Sequence, residues 1–138
     1  MLTFLLDTNT LIYIINKRPG VIKAHFERNF GKIATSTICM SELFFGTEKS
    51  RDPALAMAAI NAVCSRIVVL EYGLKAAAHY GSIRKYLEKL GTPISSNDTH
   101  IAGHARSEGL TLVSNNLREF QRVPGLLIEN WLEGLEAK

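Results

Sequence analysis

Short apolar runs that stop abruptly in polar or turn residues alternate along the chain with segments of helical apolar spacing. The first run, Leu2 to Leu6, holds four apolar residues in five without strict alternation, then breaks into Asp7-Thr8-Asn9-Thr10. A strand buried on both faces reads this way, as strands do in the middle of a parallel sheet. Ile33–Ser36, Ile67–Leu70 and Leu110–Val113 predict three further strands, and Leu126–Ile128 is a candidate for a last one. Between them, Leu11 to Asn16 predicts a short apolar helix, interrupted at Arg18-Pro19-Gly20 because a residue before proline resists the helical region. Val21, Ile22 and Phe26 mark an amphipathic helix that stops at Gly31. A helix from Ile38 to about Lys49 carries Cys39, Met40, Leu43, Phe44 and Phe45. Asp52-Pro53 starts another, which runs to Ser65, as a cap with proline in the first helical position.

Gly73 to Leu90 predicts a long helix with Tyr80, Ile83, Leu87 and Leu90 on one apolar stripe. Gly91 and a loop over 92–96 follow, then Asn97-Asp98 opens a helix that runs to Gly109. Ser114-Asn115-Asn116 is turn-like, Leu117 to Phe120 is a short helical piece, and Pro124-Gly125 is a turn. Strands alternating with helices predict an α/β fold: a central, mostly parallel sheet of four to five strands flanked by helices, in one domain over 1–138.

Composition narrows this picture only modestly. With 46% hydrophobic and 21% charged residues over 138 positions, the chain can bury a core without disulfides or metals, and disorder is excluded. No apolar run is long enough to span a membrane, and no basic-then-apolar segment opens the chain, so a cytoplasmic protein is expected. Cys39 and Cys64 sit in apolar helical surroundings and are expected as buried thiols. A net charge of +3 permits a polyanionic partner without requiring one.

The candidate chemistry lies in three carboxylates. Asp7 follows the first strand, Glu42 lies about one turn into the helix after the second, and Asp98 lies in the first turn of the helix feeding the fourth. Each has a bland use. Asp7 or Asn9 caps a helix, Glu42 faces either solvent or a polar cleft, and Asp98 favours the helix dipole. Jointly, all three can lie at the carboxyl end of a parallel sheet, where open α/β folds bind ligands. Carboxylates gathered without matching cations repel each other, and a hard divalent ion such as Mg²⁺ or Mn²⁺ relieves that repulsion. Such an ion can activate water and stabilise in-line displacement at phosphorus. A zinc site is not indicated: His25, His79, His100 and His104 follow no ligand pattern. His100 and His104 share a helix face four apart, but without a glutamate placed as in a zinc protease they read as helix-surface or packing residues.

Leu5-Leu6-Asp7-Thr8-Asn9, Ser41-Glu42-Leu43 with Gly46, Asn97-Asp98-Thr99-His100-Ile101-Ala102, and Leu112-Val113-Ser114-Asn115-Asn116 with Glu119-Phe120 occur in that order along the chain. In this ordered set the sequence resembles the PIN-domain ribonucleases, specifically the VapC-type toxins of bacterial toxin–antitoxin pairs. The resemblance implies Mg²⁺-dependent cleavage of a structured RNA such as tRNA, with Mn²⁺ able to substitute, leaving 5′-phosphate and 3′-hydroxyl ends. It implies Asp7, Glu42 and Asp98 as catalytic and metal-site acids, a homodimer, and a VapB-type antitoxin whose tail enters the acidic groove. Many relatives carry a fourth acid where this chain has Asn116, so Asn116, Glu119 and Ser114 are candidates for that place. Lys17, Arg18, Arg84, Lys85, Lys89 and Arg106 are candidates for holding the RNA backbone. Leu11, Ile14 and Ile15 are candidates for antitoxin contact, with core packing as their other use.

Three rivals share parts of the pattern. A haloacid-dehalogenase-type phosphatase needs a second acid two residues after its aspartate, where this chain has Asn9. A response-regulator receiver needs a phosphoacceptor aspartate after the third strand, where Leu70-Glu71-Tyr72 stands. A PIN-fold nucleic-acid-binding protein that has lost cleavage would not need Asp7, Glu42 and Asp98 together.

Overall fold

The computed structural model describes residues 1–17 and 20–132. Its elements run β1 (Phe4–Leu6), α1 (Thr8–Ile15), α2 (Gly20–Arg28), β2 (Ile33–Ser36), α3 (Thr37–Glu48) and α4 (Pro53–Cys64). They continue as β3 (Val68–Leu70), α5 (Leu74–Lys89), α6 (Ser96–Ser107), β4 (Thr111–Val113), α7 (Leu117–Phe120) and β5 (Ile128–Glu129). The five strands form one sheet in the order β3-β2-β1-β4-β5, and every pairing is parallel. The expected fold class is therefore the observed one. β1 lies at the centre, with Leu6 in register with Thr35 on one side and Val113 on the other. Leu5 and Leu6 are fully buried, as a strand covered on both faces requires.

Topology places the site. The chain steps outward from β1 to β2 and β3, then crosses back to lay β4 on the opposite side of β1. The order reverses at β1/β4, and the crevice beyond the carboxyl ends of those strands is where a doubly wound sheet binds ligands. Asp7 and Ser114 are the first residues past the two strand ends. The helices that carry the other acids pack around this point. α3 leaves β2 directly behind the Ser36 cap, whose hydroxyl accepts from Ile38 N–H at 3.0 Å. α6 packs along α5 so closely that a Cβ on Gly103 would lie 3.0 Å from Tyr80 N and 3.2 Å from Ala76 O.

Several boundaries moved for local reasons. α1 begins at Thr8, not Leu11, because the Asp7 side chain caps it and pulls the polar residues 8–10 into the first turn. α6 begins at Ser96, capped by Ser95, so Asp98 is its third residue and not its opener. On α5, Ala76, Ile83 and Leu87 are buried but Leu90 is 57% exposed, because it caps the helix end and turns off the stripe. Gly91 follows the cap of α5 at φ +74°, whereas α2 already ends at Arg28 and Gly31, at φ +88°, lies in the turn beyond it; a side chain would be strained at either glycine. Cys39 is buried, Cys64 is half-buried, and both are free thiols. Trp131, which no periodicity marked, is fully buried, edge-on to Phe4 and stacked on His25.

Candidate active site

Asp7 serves two purposes that the sequence presented as alternatives. Its carboxylate accepts from Thr10 N–H at 2.9 Å, the bond of a helix cap. It is also buried at the end of β1, facing the cleft. Burial pushes its carboxyl above the ordinary value of 3.8; hydrogen bonds from the Ser114 and Thr10 side of the site oppose that push, and the negative charge of Glu42 adds to it.

Glu42 projects into the cleft. Its neighbours Phe44 and Phe45 take the exposed positions on α3, while Leu43 and Met40 enter the core. The Glu42 carboxylate accepts from the hydroxyl of Thr8, the first residue of α1, which ties α3 to the residue beside Asp7. Asp98 is half-buried in the first turn of α6, where its own N–H donates to Ser95 Oγ at 3.2 Å. Its carboxyl is also raised, chiefly by burial, with the Ser95 hydroxyl opposing and the charges of Glu119, Asp7 and Glu42 all adding to the rise. These shifts share one geometric meaning: Glu119, Asp7 and Glu42 all sit within electrostatic reach of Asp98, and Glu42 within reach of Asp7.

The fourth position resolves into a pair. The Asn116 side-chain amide donates to Glu119 Oε1, and Asn116 N–H donates to Ser114 Oγ at 2.9 Å. Asn116 thus anchors Glu119, while Ser114, fully buried, links the turn after β4 to Asp7.

Among the described residues, the ion pairs Arg66–Glu27, Lys75–Glu108 and Arg84–Glu88 all lie elsewhere, and none reaches the four acids. Nor do any three His, Cys, Asp or Glu side chains among those residues close on one point tightly enough to cage an ion. The donor set is nevertheless that of a hard divalent cation: all oxygen, uncompensated, with two carboxyls raised. Mg²⁺ in particular needs only one or two carboxylates and keeps its waters, so an open cluster suits it better than a closed cage.

Among the described residues, none of the basic candidates forms an ion pair with these acids. Arg106 is held internally, donating to His79 Nδ1 at 2.9 Å, Pro124 O at 2.8 Å and Ser82 Oγ at 3.3 Å, which makes it a strut between α6, α5 and the turn before β5. Arg84 bonds Glu88 and the Tyr80 hydroxyl, both at its own exposed edge of α5, where Lys85 and Lys89 also lie. Lys17 sits past the far end of α1 beside Lys23 and Arg66, and Arg18 lies outside the described residues. Leu11 and Ile14 are core residues. The exposed apolar surface of α1 is instead Ile12 and the partly buried Ile15, which line a groove of about 400 Å³ with Leu43, Leu55 and Ala59 of α3 and α4, and Glu42 stands in its wall. Sequence reasoning missed Thr8, Thr10 and Ser95. Ser95, three residues before an acid, is a capping-box spacing and was open to detection.

The PIN domain family model matches residues 4–126, a span that contains all four acids. The chain is 52% identical over 132 residues to ribonuclease VapC2 of Haemophilus influenzae, covering 96% of this chain and 100% of the relative. The chain belongs to the VapC family of PIN-domain ribonucleases. It is also 47% identical to the tRNA(fMet)-specific endonuclease VapC of Salmonella typhimurium, over 95% of this chain and 99% of that one. The fold superposes on the DNA-bound VapBC structure from Salmonella typhimurium with a TM-score of 0.91 at 46% identity, covering 95% of this chain and 99% of that one. It superposes on VapBC-1 of nontypeable Haemophilus influenzae with a TM-score of 0.87 at 32% identity, over 96% and 100%. VapC nucleases of this domain type are generally dependent on divalent metals, in keeping with an acid cluster that no ion pair among the described residues reaches. No helix among the described residues of this VapC-family chain is long and apolar enough to cross a membrane.

Proposed function

We propose that this VapC-family ribonuclease is a Mg²⁺-dependent endoribonuclease toxin that cleaves a structured RNA, with tRNA as the substrate class, in the cytoplasm and as a homodimer. The observation that carries the reading is the gathering of Asp7, Glu42 and Glu119 around Asp98 at the β1/β4 crevice, with no ion pair to any of them among the described residues. A relative 47% identical is named for cleavage of tRNA(fMet), which supports the substrate class. Asp7 and Asp98 are the residues to hold the ion, since Asp7 is the buried one of the four and burial raises both carboxyls. Bound there, Mg²⁺ would supply activation of water and neutralisation of charge at the scissile phosphate. Glu42, held by Thr8, completes the acidic set and orients the attacking water. Ser114 keeps the Asp7 carboxylate in one orientation, and Asn116 does the same for Glu119, which takes the fourth acidic place. Water oxygen bonds to phosphorus as the P–O3′ bond breaks, leaving a 5′-phosphate and a 3′-hydroxyl. An RNA loop suits the open cleft, because splayed nucleotides expose the bond to attack.

A VapB-type antitoxin is the partner, as in the VapBC complexes this chain resembles. The groove between α1, α3 and α4 suits an apolar segment of that partner, and its wall leads to Glu42, where the antitoxin tail would enter the acids. The test is cleavage of purified tRNA(fMet) by the purified chain. Cleavage should require Mg²⁺ or Mn²⁺ and stop in EDTA; undiminished cleavage in EDTA would overturn the metal-dependent reading.

A further inference from the structure

We infer that His104 is a positioning residue of the nuclease site, clamping the helix that carries Asp98 onto the cap of the helix that carries Glu42. The inference rests on the nuclease reading above. His104 is 1% exposed, and its Nδ1 lies 2.7 Å from Ser36 Oγ, a fully buried atom 68 residues away in sequence. The same oxygen accepts from Ile38 N–H and so caps α3. While it does so, its hydrogen can still be donated to Nδ1 of a neutral ring. Burial favours that neutral form.

A second arm repeats the contact one turn earlier. His100 Nδ1 lies 2.7 Å from the Tyr72 hydroxyl, and Tyr72 N–H donates at 3.1 Å to the hydroxyl of Thr37, the first residue of α3. The Tyr72 ring meets both imidazoles edge-on, at centroid distances of 5.1 and 5.5 Å. The two histidines four apart on α6 therefore both hold the start of α3. Among the described residues neither bonds an acid of the cluster, and the seam they form ties α6 to the start of α3. Metal ligands on two helices keep a shared site only while that seam fixes their separation.

The experiment compares His104→Leu, His104→Asn and Tyr72→Phe with the wild-type chain. Asn places an amide where Nδ1 stood, whereas Leu keeps bulk without a polar atom. Three properties are measured: thermal unfolding, Mn²⁺ affinity by electron paramagnetic resonance without RNA, and cleavage of tRNA(fMet) against Mg²⁺ concentration. His104→Leu should weaken Mn²⁺ binding by about 10-fold and lower kcat with KM for RNA unchanged. His104→Asn should restore most of both. Tyr72→Phe, which deletes one hydroxyl and leaves the core intact, should shift the Mg²⁺ response in the same direction by a few-fold. It serves as the test if His104→Leu does not fold. A folded His104→Leu with wild-type Mn²⁺ affinity, a His104→Asn no better than His104→Leu, or a Tyr72→Phe with an unshifted Mg²⁺ response would each overturn the clamp. Wild-type protein that binds Mn²⁺ but leaves RNA intact would instead overturn the nuclease reading.

Discussion

Glu27 and Asp98 show how differently one chain uses its acids. Glu27, on the exposed face of α2, meets Arg66 through two bonds of 2.9 and 3.0 Å, and the guanidinium also covers the rings of Phe26 and Phe30. That pairing holds its carboxyl below the ordinary value of 4.5. Asp98 has no ion pair among the described residues, lies within reach of three further carboxylates and is raised. An exposed pair is a small stabilising feature of the folded chain. The raised carboxyls of Asp7 and Asp98 cost stability when ionised, and under the proposed function a bound cation offsets that cost. The contrast separates charges that serve folding from charges that serve a ligand, and it does so by sign, not by size.

The largest expected effect is at Asp7. Asn caps a helix as well as Asp, so Asp7→Asn should fold with α1 intact. Its RNA cleavage should nevertheless fall by orders of magnitude, because the cation loses its most enclosed ligand. Circular dichroism beside a tRNA cleavage assay decides the matter, and near-normal cleavage by folded Asp7→Asn would return Asp7 to a purely capping role.

Next comes the fourth acidic place. Glu119→Gln should lower cleavage more than Asn116→Ala, since the first removes a charge and the second only the bond that orients it. Both should cost less than Asp7→Asn. Equal loss from Asn116→Ala and Asp7→Asn in folded proteins would give the Asn116 amide a direct part in the site.

The smallest effects test the sign itself. For Asp98 the folded carboxyl is raised, so the native state holds its proton where the unfolded chain has released it. Its penalty is absent below about pH 3.8 and grows as pH rises through the raised value. Metal-free Asp98→Asn should then be as stable as wild type at neutral pH, or slightly more so: one repulsive contact is worth about 1 kcal/mol in water-like surroundings, against roughly 0.3–1 kcal/mol of lost helix-dipole interaction. Glu27 is the mirror case. Its carboxyl is lowered, so its contribution is present above pH 4.5 and lost as pH falls through the folded value, and Glu27→Gln should lower stability slightly at neutral pH only. Thermal unfolding of both variants from pH 3 to 8, with and without Mg²⁺, checks the pair. Added Mg²⁺ should stabilise wild type more than Asp98→Asn and treat Glu27→Gln as wild type. A clear loss of metal-free stability at neutral pH in Asp98→Asn would contradict the reading of the cleft.

Much of this was legible along the chain. Leu2 to Leu6 announced a doubly covered central strand, the alternation of runs announced a parallel sheet, and Asp52-Pro53 opened α4 as its chemistry requires. Such features depend on residues within one turn or one strand of each other, so periodicity and capping rules reach them. The order of the acids also pointed to the family. Other assignments depended on which distant groups meet. Arg106 reads as an available cation but is committed to His79 and the Pro124 carbonyl. Asn116 stands where a fourth acid was sought, yet its amide supports Glu119. His104 looks like a surface or packing residue, and only the packing that brings α6 against the end of β2 gives it Ser36. Composition and spacing determined which elements form and which residues can do chemistry. The register of the sheet and the seating of α6 decided which of them share a cleft, because contacts between residues tens of positions apart have no signature in the local pattern.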